Sequence, residues 1–213
     1  MSDKFGLDEA YAVETPEDNK RLYAAWAATY DEDFLVSTGY IYARGVAAMY
    51  AADGSGPVLD IGCGTGAVGI GLSALNIGPV DGVDISAEMV DVARSKRLED
   101  QDVYRDLFVG DLTVGLSIPD GGYAGVVSAG TFTHGHLGPE VLPEVVRVGA
   151  PGCRFAIGVN AEHYETRGFE STLEGLVAAE RITNLTSDDV AIYENNTTEH
   201  GRDRAFVVRF IKP

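Results

Sequence analysis

Residues 58–66 read VLDIGCGTG, an apolar run that ends at an acid and continues into glycines spaced two apart. Glycine tolerates positive φ and has no side chain, so Gly62, Gly64 and Gly66 allow the chain to leave a buried strand, turn sharply and begin a helix. The free amide groups at the start of such a helix can contact a ligand. The stretch predicts a strand, loop and helix that bind a ligand through the backbone.

Short apolar runs alternate with helical patterns after this stretch. The runs are PVDGVD, YRDLFVGD, GGYAGVVSAG and CRFAIGVN, and segments such as SAEMVDVARSKR and PEVLPEVVRVG lie between them. Such alternation is typical of β-α-β units, whose right-handed crossovers produce a parallel sheet with helices on both faces. We therefore expect an α/β fold with a doubly wound, mostly parallel sheet.

The pattern changes after the helical stretch FESTLEGLVAAE. Two strand-like segments, VAIYE at 190–194 and RAFVVRFIK at 204–212, flank the polar stretch ENNTTEHGRD. Consecutive strands joined by a polar connection pair antiparallel in a hairpin. We expect a closing antiparallel hairpin at the end of the sheet.

Two helices are predicted before the glycine stretch. The first begins with Thr15 as N-cap and Pro16 at the first helical position, followed by the acid Asp18. The second ends at the breaker DGSGP, residues 53–57. The first helix carries aromatic side chains at helical spacing: Tyr23, Trp26 and Tyr30. We expect residues 1–56 to form a helical appendage that acts as a lid over a domain at 57–213.

Composition and charge exclude several classes of function. The 213 residues, 45% of them hydrophobic, suffice for one globular domain. A formal net charge of −17 disfavours binding to nucleic acid and to anionic lipid. No long apolar run is present, and the N-terminal MSDKFGLDEA is polar, so we expect neither a membrane span nor an export signal. With only Cys63 and Cys153, no disulfide framework is expected, which favours a cytoplasmic protein.

Acids near the strand ends narrow the class of ligand. Asp60, just before the first glycine, would repel a pyrophosphate and attract a cationic group, which argues against NAD. Asp84 ends the second predicted strand at the spacing at which an acid binds ribose hydroxyls, or it caps the helix that starts at Ser86. Asp111, in LFVGD, lies within reach of an adenine amine or is an ordinary turn residue. Together they predict a site for a nucleoside with a positively charged tail.

The stretches VLDIGCGTG, GVDIS and VGDL resemble the first three motifs of the class I S-adenosylmethionine-dependent methyltransferases. The resemblance covers about residues 20–213 and implies a seven-stranded Rossmann-like sheet, S-adenosylmethionine as cofactor and methyl transfer as the reaction. Within that class, AAWAATYDEDF at 24–34 and SAGTFTHGHLGPE at 128–140 are similar to the Williams-Beuren-region methyltransferase-like proteins.

The resemblance also implies which residues contact the cofactor. N-terminal helices in this class commonly lie over the open edge of the site, so Tyr30 would cover the cofactor, although an aromatic stripe is also typical of plain core. The other cofactor-binding residues that it implies are Asp60, Gly62, Cys63, Gly64, Gly66, Asp84, Ile85, Met89, Asp111, Leu112, Ser128 and Ala129.

Methyl transfer from a sulfonium is an in-line displacement that depends on orientation and desolvation. A base is needed only where the acceptor must lose a proton. His134, in TFTHGHLG, is the candidate base, with a brace for its own loop as the alternative. His136 could point the same way if the loop is extended. With His163 and His200 elsewhere, the histidines form no recognisable metal set, so we expect no metal.

Three functions remain open. The leading hypothesis is a methyltransferase that acts on a small molecule, with oxygen, sulfur or carbon acceptors favoured because SAGT at 128–131 stands where many amine and amide methylators have an NPPY-like tetrad. The second is a protein methyltransferase that acts on basic segments, and the third is a cofactor-binding module without turnover. The oligomeric state is not predicted.

Overall fold

The computed structural model of the protein describes residues 13, 15–194 and 202–213. Its strands are β1 (Val58–Ile61), β2 (Val80–Asp84), β3 (Arg97–Leu98), β4 (Gln101–Asp102), β5 (Asp106–Val109), β6 (Tyr123–Phe132), β7 (Gly149–Asn160), β8 (Thr183–Ala191) and β9 (Arg204–Ile211). Its α-helices are α1 (Pro16–Trp26), α2 (Tyr42–Ala51), α3 (Ala67–Ala74), α4 (Ala87–Arg94), α5 (Leu142–Val148), α6 (Ala161–Arg167) and α7 (Phe169–Ala178). A π-helical turn at Asp31–Val36 and a 3₁₀ turn at Pro139–Val141 are also present.

Seven of these strands form one sheet in the order β5-β2-β1-β6-β7-β9-β8. The strands from β5 to β7 are parallel, and β9 runs antiparallel to both β7 and β8. Strands β3 and β4 pair separately as a small antiparallel hairpin. The predicted doubly wound, mostly parallel seven-stranded sheet with a closing antiparallel hairpin is confirmed.

The strand order favours a ligand site at the carboxyl end of β1. The chain passes from β1 to β2 on one side, and β6 later pairs with β1 on the other side. The loops that leave β1 and β6 therefore diverge, and open α/β sheets bind ligands in the crevice at such a point. Side chains of β1 alternate between the two core clusters, because Leu59 and Ile61 belong to one and Val58 to the other.

The closing hairpin differs from the prediction in the position of its first strand. Strand β8 spans Thr183–Ala191, whereas the expected segment was 190–194. β8 is the edge strand of the sheet, and all of its residues are exposed or half-buried, so the stretch TNLTSDD lacks the apolar alternation by which a strand is recognised. Of the polar stretch between β8 and β9, residues 195–201 lie outside the described residues.

Helix α1 begins as predicted and ends earlier. The Thr15 hydroxyl oxygen accepts from the backbone amide of Asp18 at 3.1 Å, and Pro16 occupies the first turn. The helix stops at Trp26, and the chain re-forms a helical turn of the π type at Asp31–Val36, where the Ser37 amide donates to the Glu32 carbonyl at 3.3 Å. The aromatic face that was predicted as one helix is therefore divided between two helical segments.

Helix α2 covers one face of the sheet. Its side chains Val46 and Ala47 are fully buried, and Tyr50 is 2% exposed, in the core cluster that includes Val58 and Val127. This part of the predicted N-terminal appendage thus contributes to the main core. The lid and the boundary at residue 56 stay predictions, and residues 1–12 lie outside the described part of the chain.

In the described part of the chain, no helix combines the length and apolar character needed to cross a membrane.

Candidate functional site

A cavity of about 1500 Å³, including the space at its open mouth, lies at the carboxyl ends of β1, β2 and β6. The sheet contributes the glycine loop and the loops after β2 and β5 to one side. The N-terminal segment contributes the other. Residues that line the sheet side include Gly62, Cys63, Gly64, Asp84, Ile85, Met89, Asp111, Leu112 and Ala129. Residues that line the N-terminal side include Tyr23, Trp26, Tyr30, Phe34, Tyr40 and Tyr42.

The glycine loop requires glycine for two different reasons. Gly62 has φ +65°, and a Cβ there would lie 1.9 Å from the Thr131 hydroxyl oxygen, so the end of β6 packs directly on this glycine. Gly64 has φ +51°, and a Cβ there would meet no atom within 4 Å. The space above Gly64 is therefore open to the cavity, and a ligand can approach the backbone there.

Asp84 joins the glycine loop to the end of β2. Its two carboxylate oxygens accept from the backbone amides of Gly64, at 2.8 Å, and Ser86, at 2.9 Å. Burial raises the pKa of this carboxyl, and the hydrogen bonds from the Ser86 and Gly64 amides oppose that rise. The cap of α4 is Ser86 itself, whose hydroxyl accepts from the Met89 amide at 3.3 Å. Asp84 lines the cavity and retains lone pairs that can accept from a ligand.

Asp60 lies beneath the cavity rather than on its wall. The residue is fully buried, and one carboxylate oxygen accepts from the Tyr104 hydroxyl at 2.7 Å. The other oxygen, Oδ1, is buried and has no hydrogen-bond partner among the described residues. Burial raises the pKa of Asp60 to about 7, and the hydrogen bond from Tyr104 opposes that rise. The full negative charge expected at this position is therefore only partly present at neutral pH.

Three other sequence-predicted residues support the site in different ways. Ser128 is fully buried and donates to the Ile61 carbonyl at 2.7 Å, which braces β6 against β1. Gly66 has φ +103° and precedes α3, and like Ser128 it does not line the cavity. Asp111 lines the cavity and accepts from the amide and hydroxyl of Thr113, at 2.8 and 2.6 Å.

The loop after β6 presents a different histidine to the cavity from the one expected. The His134 imidazole lies in a separate surface cleft, 35% exposed, with Nε2 3.7 Å from a Glu162 carboxylate oxygen. Gly135, at φ +72°, lies in the turn between the two histidines, and both histidines line the surface cleft, whereas only His136 also lines the main cavity. The imidazole of His136 lines the main cavity, 3.1 Å from the Tyr23 hydroxyl.

The N-terminal side of the cavity consists of packed aromatic rings. The ring centroids of Trp26 and Tyr30 lie 4.9 Å apart, and those of Tyr30 and Phe34 lie 5.1 Å apart. Phe34 packs in turn against Tyr40 and Tyr193, at 5.2 and 6.3 Å. Phe34 and Tyr193 were not predicted from the sequence, because no local motif distinguishes them from ordinary core aromatics.

One acid of the N-terminal segment contacts the glycine loop. Asp31, the first residue of the π-helical turn, accepts from the buried Thr65 hydroxyl at 2.5 Å and pairs with Lys96. Thr65 lies between the second and third glycines of the loop, so the contact links both sides of the cavity. The sequence holds no signal for this contact, because the two residues are 34 positions apart.

No cluster of three or more histidine, cysteine or acidic residues able to hold a metal ion occurs within residues 13, 15–194 and 202–213.

Comparison with known proteins finds methyltransferases. Residues 58–152 match the profile of a protein family described as a methyltransferase domain. No sequence among the curated proteins matches the chain. A TehB-like S-adenosylmethionine-dependent methyltransferase from Corynebacterium glutamicum is 26% identical with a TM-score of 0.59, and the alignment covers 89% of this chain and 99% of that one.

Two further solved structures share the fold. A Haloferax volcanii protein, solved in complex with a methyltransferase activator, is 22% identical with a TM-score of 0.63 over 90% of this chain and 97% of that one. The magnesium protoporphyrin IX methyltransferase of Synechocystis, solved with bound S-adenosylmethionine, is 18% identical with a TM-score of 0.58 over 80% of this chain and 78% of that one. The family profile and the 26% identical structure support a class I S-adenosylmethionine-dependent methyltransferase.

Proposed function

We propose that this protein transfers a methyl group from S-adenosylmethionine to a small-molecule acceptor, with an oxygen, sulfur or carbon nucleophile. The observation that carries the proposal is the cavity itself, which the glycine loop and the N-terminal aromatic rings share. The glycine loop and Asp84 line one side of this cavity, and the aromatic rings of Tyr23, Trp26 and Tyr30 line the other. A nucleoside cofactor on the first side would leave the second side to the acceptor.

The residues on the sheet side fit the cofactor. The open space above Gly64 admits a ligand to the backbone, and Asp84 offers acceptors for ribose hydroxyls. Ile85, Leu112 and Met89 supply apolar surface for an adenine, with Asp111 at its edge. The Oδ1 atom of Asp60, which has no hydrogen-bond partner in the described part of the chain, supplies negative potential for the cationic end of the cofactor. Because Asp60 lies beneath the glycine loop, it acts at a distance and does not contact the cofactor. When bound, the cofactor supplies the methyl group on a sulfonium.

The N-terminal side fits a small, uncharged acceptor. Among the described residues that line the cavity, none is lysine or arginine, and the two carboxylates, Asp84 and Asp111, belong to the sheet side. An acceptor with a carboxylate or phosphate group would find no cationic partner there. The magnesium protoporphyrin IX methyltransferase is named for a small-molecule acceptor, which agrees with this proposal.

The proposal includes a lid formed by the N-terminal segment. Asp31, Thr65 and Lys96 hold that segment against the glycine loop, and the aromatic rings lie over the cavity. A cofactor enclosed in this way needs the segment to open before it can exchange. The narrower relation to the Williams-Beuren-region proteins rests on the two stretches at 24–34 and 128–140 and belongs to the proposal as well.

Two measurements test the function. Calorimetry should show binding of S-adenosylmethionine and of its demethylated product, and no comparable binding of NADH. Incubation with methyl-labelled cofactor and a fractionated cell extract should place label in small molecules. Label in protein would favour a protein methyltransferase, and cofactor binding without any label transfer would favour a module without turnover.

A further inference from the structure

The hydrogen bonds of His136 determine which of its ring nitrogens carries the proton. Nδ1 lies 2.8 Å from the backbone carbonyl oxygen of His134, and Nε2 lies 3.1 Å from the hydroxyl of Tyr23. A carbonyl oxygen only accepts, so Nδ1 must be the donor in the first bond. In the neutral ring Nε2 then carries the lone pair, and Tyr23 donates to it. The ring is therefore held with its basic nitrogen toward the cavity.

The surroundings of His136 favour its neutral form. Burial lowers the pKa of His136, the hydrogen bond to the His134 carbonyl opposes that change, and the nearby His163 and His134 lower the pKa further. The titratable groups that face it are Tyr23 of α1, His134 of its own loop and His163 of α6. Neither ring nitrogen bonds to a carboxylate. The lone pair at Nε2 is therefore available at neutral pH.

We propose that His136 is the general base of this site, and that its acceptor is an uncharged aromatic molecule with a phenol-type hydroxyl or a thiol. This inference rests on the proposed methyl transfer. The acceptor replaces the Tyr23 hydroxyl as the donor to Nε2. His136 takes the acceptor's proton as the oxygen or sulfur bonds to the methyl carbon, and the bond from that carbon to the sulfonium sulfur breaks with its electron pair left on sulfur. The products are a methyl ether or thioether, a neutral sulfide and the imidazolium, which returns its proton to solvent.

The acceptor class follows from acidity and from the walls of the cavity. A phenol, with a pKa near 10, and a thiol, near 8.5, lie close enough to imidazole for proton transfer at neutral pH. The rings of Tyr23, Trp26 and Tyr30 provide apolar surface on the same side as His136, with the Tyr23 and His136 centroids 5.7 Å apart. An aromatic acceptor can pack against these rings.

Nitrogen-15 NMR of the wild-type protein tests the base without any substrate. We expect the neutral His136 ring with its proton on Nδ1 and an unprotonated Nε2 at pH 7. The ring should accept a second proton only below pH 6.5, and Tyr23→Phe should shift the Nε2 resonance. A ring protonated at Nε2, or doubly protonated at pH 7, overturns the assignment of the base. Calorimetry with S-adenosylmethionine on the same sample tests the proposed function separately, since cofactor binding does not depend on this tautomer.

Naphthol and naphthoate, which have the same ring system, test the acceptor class. With the demethylated cofactor bound, naphthol should bind at least tenfold more tightly than naphthoate, and with S-adenosylmethionine it should become methylated. His136→Asn should lower that rate by about 10² to 10⁴, whereas His134→Asn, which changes an imidazole outside the cavity, should change it less than threefold. The His136→Asn rate should also lose its fall at low pH. Tighter binding of naphthoate, or no methylation of naphthol, overturns the acceptor class, and a His136→Asn rate within threefold of wild type overturns the base.

Discussion

The two sides of the cavity are constructed differently. The sheet side is held by backbone: Gly62 packs on Thr131, and the carboxylate of Asp84 binds two backbone amides. The N-terminal side consists of side-chain rings on short helical segments, and it contacts the glycine loop through a few side chains such as Asp31. A substitution that displaces the backbone of the glycine loop changes every contact of that loop, whereas the loss of one side-chain contact on the N-terminal side leaves the other contacts in place. Substitutions on the sheet side should therefore reduce stability and cofactor affinity more than substitutions on the N-terminal side.

The largest effect is expected at Gly62. Gly62→Val places a branched side chain at a positive φ and against Thr131, so it should destabilise the protein by more than about 2 kcal/mol and abolish cofactor binding. Thermal unfolding and calorimetry with S-adenosylmethionine measure the two losses. Gly64→Ala, which has open space above it, should lose affinity with a smaller loss of stability, and Gly45→Ala, on α2, is the control. Equal stability of the Gly62 and Gly64 variants would contradict the packing argument.

The next effect concerns the pH dependence of stability at Asp60. Burial raises the pKa of this carboxyl to about 7. The folded state therefore holds a proton that the unfolded state releases near pH 4, so stability falls as the pH rises from about 4 to about 7 and levels off above that. Asp60→Asn should remove about 2 kcal/mol of that fall between pH 5 and pH 8. Denaturant unfolding at both pH values measures the change, and parallel profiles for the two proteins would show that Asp60 is ionised throughout.

Asp84→Ala should weaken binding of S-adenosylmethionine by tenfold or more, because charge-assisted hydrogen bonds contribute roughly 1.5–3 kcal/mol each. The Gly64 amide also loses its acceptor in this variant. Asp91→Ala, exposed on α4, serves as the control. Calorimetry measures both dissociation constants. An unchanged constant for Asp84→Ala would mean that the carboxylate only holds the loop and the start of α4.

The smallest effect is expected on the N-terminal side, at Asp31. Asp31→Ala removes one hydrogen bond and one partly exposed ion pair, so we expect a loss of about 1 kcal/mol and a two- to fivefold weaker affinity for the cofactor. Hydrogen exchange should become faster in residues 15–41, and cofactor binding should slow it less than in the wild type. Asp33→Ala, on the exposed side of the same turn, is the control. If Asp31→Ala weakened cofactor binding more than Asp84→Ala does, the comparison between the two sides would be reversed.

The difference between the sides also explains which features could be predicted from the sequence. The positions of the glycine loop, Asp84 and Asp111 at the cavity could be predicted. Positive φ favours glycine, and the carboxyl ends of parallel strands recur at a regular spacing along the chain. The contact between Asp31 and Thr65 could not, because it joins distant residues through a tertiary arrangement. The choice between His134 and His136 depends on the turn at Gly135, which the sequence THGH leaves open. Strand β8 was misplaced because an exposed edge strand carries little apolar pattern.

Because of the π-helical turn at Asp31–Val36, the number of residues in this segment determines how its aromatic rings are oriented relative to one another. A π-helical turn accommodates one residue more than an α-helical turn, and each residue of an α-helix advances by about 100° around its axis. Tyr30 directly precedes the turn and Phe34 lies within it, and both rings line the cavity. Deletion of one exposed residue, such as Glu32, would rotate one ring relative to the other while the aromatic composition of the wall stays the same. Insertions and deletions within this turn are therefore a route by which related proteins can acquire a different acceptor shape without replacing any of the rings.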